Sequence, residues 1–550
     1  MGRETIKSGA AILACLLLLL AGCGASGGEE KAAPRNDGKE ANPIYGDIII
    51  EGSIGDASNL IPILASDGSS HGISNLIFNG LVKYDKNIKI VGDLADSWEI
   101  SDSGLVVTFH LRKNVRWHDG RPFTADDVLY TYGVTIDPKT PTAYAGDFQK
   151  ITKAEIIDPY TFRVTYDEPF APALISWSAS ILPKHLLEGQ DITKTPLSRS
   201  PVGTGPYKFK EWVAGQKIVL AANNDYFEGR PYIDGYIMRV IPDTATMFLE
   251  LRAQGIDQMG LTPLQYTRQT ENNLFRRHYE KYRYLAFAYT YLGFNLDHPF
   301  FRDKRVRQAI AHAINKEEII DGVLLGMGRT ASGPYKPGTW PYNDKVKKYP
   351  YDPGEARRLL ADAGWRDGDG DGVLDKNGTP FRFEIITNQG NDLRAKCAEI
   401  IQRRCSDIGV DVKIRIIEWA AFVNEFINKK KFDATILGWN ITPDPDLFDV
   451  WHSSKTKPGE LNFVSYRNDE VDRLLERGRS TFDQEERKRC YQRFQEILAE
   501  DQPYCFLYVP EALPIVSSRF RGIEAAPAGI SHNFIKWHVP KAEQRYVMQP

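Results

Sequence analysis

Between residues 381 and 438 the apolar side chains switch repeatedly between two periods, and few folds can absorb that pattern. Phe381, Phe383 and Ile385 alternate with Arg382 and Glu384, the two-residue period of a strand. Residues 392–408 then recur at helical spacing, with Leu393, Cys397, Ile400, Ile401, Cys405 and Ile408 on one face. Val410, Val412, Ile414 and Ile416 alternate again with charged neighbours, and residues 420–430 put Phe422, Val423, Phe426 and Ile427 on one helical face ahead of the apolar run 432–437. Such strand–helix alternation argues for a sheet with helices packed on its faces. Asp352, Pro353 and Glu355 mark a helix start, and 303–324 reads as one further helix with Val306, Ile310, Ala313 and Ile314 inward. Residues 90–230 differ: short β-rich pieces at 106–111, 161–165 and 207–212 are divided by Gly, Pro and Asp, so the fold class is α/β with a mixed α+β part.

A chain of 550 residues, 42% apolar, has material for several domain-sized units with real cores. The one long apolar run, 10–21, is shorter than the roughly 20 residues a membrane-spanning helix needs, which excludes a polytopic membrane protein. Lys and Arg (69) nearly balance Asp and Glu (72), so nucleic acid is not an expected partner, and Lys429, Lys430 and Lys431 read as a solvated helix end. Arg3 and Lys7 before the apolar run and small residues after it form a secretory signal over 1–22. The run ends Leu20-Ala21-Gly22-Cys23, which looks like a lipoprotein lipobox, with Cys23 the lipidated residue. Residues 23–45 are too poor in large apolar side chains to bury anything and read as a flexible tether. The expected location is therefore the cell envelope, outside the cytoplasm and held by lipid.

Four cysteines remain in the body of the chain. Cys397 and Cys405 lie eight residues apart on one helix, about 12 Å at 1.5 Å per residue, beyond the roughly 7 Å α-carbon limit for a disulfide; they read as buried thiols. Whether Cys490 and Cys505 pair is left open. No CxxC, HExxH or GxxxxGK occurs, so neither a zinc centre nor a phosphate-binding loop is indicated. Residues 367–375 are the one metal-like constellation: Asp367, Asp369, Asp371 and Asp375 occupy positions 1, 3, 5 and 9 of a calcium loop with Gly372 at 6, but Gly378 stands where a bidentate Glu is expected. The alternatives are a structural calcium clip and a plain Asp/Gly turn; no other cofactor is expected.

Three stretches carry a resemblance. Leu94-Ala95-Asp96-Ser97-Trp98-Glu99, then Thr108-Phe109-His110-Leu111-Arg112, then His118-Asp119-Gly120-Arg121-Pro122-Phe123-Thr124-Ala125-Asp126-Asp127-Val128, resemble the signature of family 5 extracellular solute-binding proteins, the dipeptide- and oligopeptide-binding lipoproteins of ABC importers. Pro201-Val202-Gly203-Thr204-Gly205-Pro206-Tyr207 resembles the family's second marker, and 303–315 with 432–446 its carboxy-terminal half. The signature itself reads as scaffold: Gly120 and Pro122 shape a turn, Thr124 can cap the next helix, and Asp126 and Asp127 suit its first turn. His118 beside Asp119 lacks an accompanying nucleophile, and no catalysis is expected.

The resemblance implies a periplasmic-binding-protein-like, two-lobed fold with an additional third domain: 46–85, 196–290 and 506–545 in lobe I, 86–195 the extra domain, 291–505 lobe II. It implies a monomer that encloses a small ligand and docks on an ABC permease. Trp439, Asn440, Ile441 and Thr442 follow an apolar strand, where ligands sit in open α/β sheets, and family relatives use these positions; Tyr335, Lys336 and Trp340 belong to a loop whose counterpart also reaches the cavity. Asp444 reads as a helix N-cap, with Asp446 in the first turn. One departure matters: peptide binders commonly carry an Asp just after this Trp for the peptide's ammonium, and Ile441-Thr442 stand there instead. Peptide is the favoured ligand; nickel complexes, oligosaccharides and opines are the family's other cargoes, and an exported hydrolase or a chemoreceptor-coupled sensor is the rival reading.

Overall fold

The computed structural model describes residues 44–65, 67–142 and 144–548. The signal segment, Cys23 and nearly all of the tether lie outside the described residues. Among the described residues, no helix is long and apolar enough to cross a membrane.

Two seven-stranded sheets and a four-stranded one organise the chain. The first orders its strands Tyr279–Lys281, Pro514–Ser517, Gln258–Gly260, Ile48–Ser53, Gly235–Val240, Lys217–Ala222, Tyr207–Val213. The second runs Tyr284–Leu285, Tyr504–Ala512, Ala288–Phe294, Ala434–Asn440, Arg382–Asn388, Asp411–Ile417, with Gly328–Thr330 on Tyr504–Ala512. The third is an antiparallel ladder of Ala95–Ile100, Val106–Leu111, Thr161–Tyr166 and Ile151–Asp158, covered by the helix Ala125–Ile136. Each sheet draws on a different part of the chain, so the backbone passes between the first and second sheets at 281–284 and again at 512–514. The strand Tyr504–Ala512 thus stays in the second sheet for several residues past 506.

The alternation at 381–438 appears as expected. Arg382–Asn388 pairs in parallel with Asp411–Ile417 and with Ala434–Asn440, and parallel neighbours require a crossover such as the helix Asp392–Ser406 between them. That helix buries Cys397, Ala398, Ile401 and Cys405, spaced so that they fall on one face. It ends at Gly409, whose φ of +80° suits glycine and where a Cβ would come within 2.9 Å of Leu374. The second sheet has an apolar core on both faces. One holds Phe294, Ile310, Ile385, Ile401 and Leu507, the other Tyr291, Phe422, Trp451, Phe494 and Tyr504.

Two local readings change, and the open question of Cys490 and Cys505 closes. Residues 303–324 form two helices, Lys304–Ala313 and Lys316–Gly322, because the Asn315 side chain accepts the Glu318 amide and restarts the turn. All four described cysteines are free and buried, including Cys490 and Cys505. Asp444 does not cap the helix Phe448–Trp451; Asp446 accepts the Phe448 amide at 3.1 Å instead.

The signature segments clasp each other. Thr124 and Asp127 form a reciprocal capping box, and Asp127 also accepts from Trp117 Nε1 (3.2 Å) and the Lys184 amide (3.1 Å). His118 Nδ1 accepts the Gly203 amide at 3.2 Å while Nε2 donates to the Gly205 carbonyl at 3.0 Å. This neutral, half-buried imidazole has its pKa depressed to about 4, mainly because its ring nitrogens are shielded from water. Asp119 pairs with His185, not with His118. The glycines between are needed for space: a Cβ on Gly203 would sit 1.9 Å from the Ile77 carbonyl oxygen.

Candidate functional site

The strand Ala434–Asn440 lies between Ala288–Phe294 and Arg382–Asn388, and its carboxyl end opens onto a cavity of about 570 Å³. Trp439, Asn440, Ile441 and Thr442 all line it. Pro62, Ile63 and His71 line it from the first-sheet side, and Tyr144, Asp147 and Trp177 from the part built on the four-stranded ladder. Its size falls within the roughly 300–1,000 Å³ usual for small-ligand sites, and its wall mixes aromatic and apolar surface with a few polar groups.

Trp439 is half-buried; its ring lies 6.1 Å from Phe463 and its Nε1 donates to Tyr504 Oη at 3.4 Å. The Ile441 amide bonds the Phe287 carbonyl at 2.9 Å, extending the sheet pairing one residue beyond the strand. Thr442 Oγ1 then donates to the Asp444 carbonyl at 3.0 Å and turns the chain.

The loop that follows is wired by two charge pairs. Asp444 accepts from Arg487 Nη2 at 2.9 and 3.0 Å, and Asp446 Oδ2 accepts from Arg479 Nη2 at 2.6 Å and Nε at 3.1 Å. All four side chains are 10–12% exposed. Burial lifts Asp446 to about 6, with Arg479 opposing the shift and Asp444 and Asp147 reinforcing it. Burial is the largest single influence on Arg487 and works against its charge, but Asp444 and Tyr491 together outweigh it and raise the guanidinium's pKa. Arg479 also lies over the rings of Phe448 (4.3 Å) and Phe170 (5.2 Å), and its carbonyl accepts the Ala171 amide at 2.7 Å. It therefore joins the second-sheet lobe to the segment following the ladder strand Thr161–Tyr166.

Tyr335, Lys336 and Trp340 are not on the cavity wall. Tyr335 is buried and donates to the Pro445 carbonyl at 2.7 Å, bracing the binding loop from behind. Trp340 packs edge-on against Tyr491 and under Arg487, and the Lys336 ammonium lies 4.0 Å over the Phe287 ring. The acidic turn brings Asp367, Asp369 and Asp371 within 4.8 Å of one another. Their oxygens cap the amides of Gly370, Gly372, Asp371 and Val373, and Asp375 is turned to the Gly368 amide. Asp147 and Arg479 escaped sequence reasoning because neither lies in a motif; only folding brings them to the cavity.

Residues 89–460 match the bacterial extracellular solute-binding proteins, family 5, middle region. The chain belongs to this family. It is 35% identical to the oligopeptide-binding protein AppA of Bacillus subtilis over 550 residues, 98% of this chain and 99% of that one. The structure of that AppA in complex with a nonapeptide superposes with a TM-score of 0.81 at 35% identity, covering 91% of this chain and all (100%) of the relative. NikZ from Campylobacter jejuni in complex with Ni(L-His) gives a TM-score of 0.81 at 30% identity over 90% of this chain and 99% of its own. DppA from Helicobacter pylori in complex with the peptide STSA gives 0.78 at 30% identity, with the same coverage of 90% and 99%. The two-lobed architecture of these binding proteins is the architecture of this chain, and the family consists of solute-binding proteins, not enzymes.

Proposed function

We propose that the chain is the capturing subunit of an ABC importer, taking peptides into the cavity between its lobes and handing them intact to a membrane permease. The observation that carries the reading is the open carboxyl end of Ala434–Asn440, where an exposed strand terminus, an aromatic platform at Trp439 and the polar groups of Asn440 and Thr442 meet on one cavity. Backbone groups at a strand end hold an extended peptide without regard to its side chains, and a cavity wall of mixed character tolerates many of them. AppA and DppA, described with bound peptides, support the same choice. Binding favours the closed form because only there does ligand touch both lobes. Cys23 is the lipid anchor in this account, and the molecule acts as a monomer at the outer face of the membrane or in the periplasm.

Native mass spectrometry of protein purified from its own host, followed by release and sequencing of the bound material, tests the reading. Recovery of intact peptides supports it. Recovery of a ligand without peptide bonds, or of fragments that accumulate with time, refutes it.

A further inference from the structure

Four carboxylates reach the cavity wall: Asp147, Asp444, Asp446 and Asp449. Three have a cation of their own. Asp444 holds Arg487 (2.9 and 3.0 Å), Asp446 holds Arg479 (2.6 and 3.1 Å), and Asp449 holds Lys455 at 2.8 Å. Asp147 has none among the described residues. Its Oδ2 accepts the neutral Ser176 hydroxyl at 2.9 Å, and its Oδ1 lies 3.5 Å from Arg479 Nη2, a guanidinium already committed to Asp446. With Arg479 counted once, the cavity carries one negative charge more than positive.

That imbalance has a consequence for ligands. The Asp147 side chain is 38% exposed, so its partial burial disfavours the carboxylate only in part; Ser176 and Arg479 offset this, and the charges of Asp449 and Asp444 add repulsion. A positively charged group arriving there removes the penalty and forms a charge-assisted hydrogen bond, stronger than a neutral one. We propose that the cavity selects ligands bearing a positively charged nitrogen, a primary ammonium or a guanidinium, seated on the Asp147 carboxylate, with Ser176 holding that carboxylate in orientation. The inference rests on the cavity being the ligand site. For a peptide the charge comes either from the amino terminus or from a Lys or Arg side chain, and Ile441 and Thr442, the neutral residues after Asn440, do not compete for it. The carboxylate thus sits on a different segment of the wall from the Trp439 strand end.

The test uses the mature chain, stripped of bound material and refolded, and calorimetry with four probes. They are a nonapeptide without Lys, Arg or His, its N-acetylated form, the acetylated form carrying one Lys, and spermidine as a cation without peptide bonds. The parent should bind the free-amine peptide at least ten-fold tighter than the acetylated one, and Asp147→Asn should erase that preference while melting within a few degrees of the parent. Asp147→Glu, which keeps the charge, should retain it. Recovery of affinity with the Lys-bearing probe shows that a side-chain ammonium serves as well; no recovery restricts the site to the amino terminus. Equal binding of charged and uncharged probes by parent and Asp147→Asn, zero binding included, overturns the proposal, as does loss of the preference in both variants alike. Peptide binding indifferent to acetylation removes the Asp147 assignment alone. Discrimination seen only with spermidine, and lost in Asp147→Asn, removes the peptide reading and leaves the assignment standing.

Discussion

Asp446 is where burial and charge pairing oppose each other most directly, and the outcome is measurable. Its carboxylate bonds Arg479 at 2.6 Å, yet burial outweighs that partner and lifts the group from 3.8 to about 6. A group whose pKa is higher in the folded state binds more protons there than when unfolded. Its contribution therefore stabilises the fold at low pH and is lost as pH rises through about 6. A shift of that size corresponds to about 3 kcal/mol in full, of which about 2 kcal/mol falls between pH 4.5 and 7.5. Asn at this position cannot titrate. The unfolding free energy of Asp446→Asn relative to the parent should accordingly rise by about 2 kcal/mol from pH 4.5 to pH 7.5, read from urea denaturation at a series of pH values. Taking the difference cancels the carboxylates and histidines common to both proteins. A difference that stays flat across this range, or that falls, would show that Arg479 wins over burial and that the loop is held by a fully charged pair throughout.

Three further outcomes follow from the site and its scaffold. Trp439→Ala should weaken ligand binding by roughly ten-fold and, because the indole is half-buried against Phe463, should cost about 1–2 kcal/mol of stability; calorimetry and thermal melting read the two effects separately, and unchanged affinity would place the ligand elsewhere. Gly203→Ala drives a methyl group into the Ile77 carbonyl, so soluble yield and melting temperature should both drop, whereas the same change at the open Gly146 should leave both nearly unaltered. Millimolar calcium should leave the melting temperature unchanged, since the carboxylates of the 367–375 turn already cap backbone amides; a rise that chelator reverses would instead identify a calcium clip.

The second lobe was legible because its elements are written in local periodicity. Phe381 to Ile416 alternates, repeats at helical spacing and alternates again, and the structure places strand, helix and strand there. Caps were equally readable at Asp352 and Thr124, where side-chain chemistry acts within three residues. The strand end at Trp439–Thr442 followed from a general property of open sheets and does line the cavity. What escaped was anything decided at long range. Asp444 looked like a cap until folding brought Arg487 to it across 43 residues. Tyr335 looked like a cavity residue, yet it supports the loop through Pro445, 110 residues away. Asp147 and Arg479 come together across 332 residues, and no local pattern announces such a pair.

The proposed transport role requires that the two lobes close around a guest and release it unaltered. Small-angle scattering of the mature chain, stripped and then saturated with a peptide it binds, addresses that directly. Saturation should give a smaller radius of gyration and a shorter maximum dimension, with the peptide recovered whole afterwards. Superimposable curves in the two states, or a cleaved peptide, would contradict it.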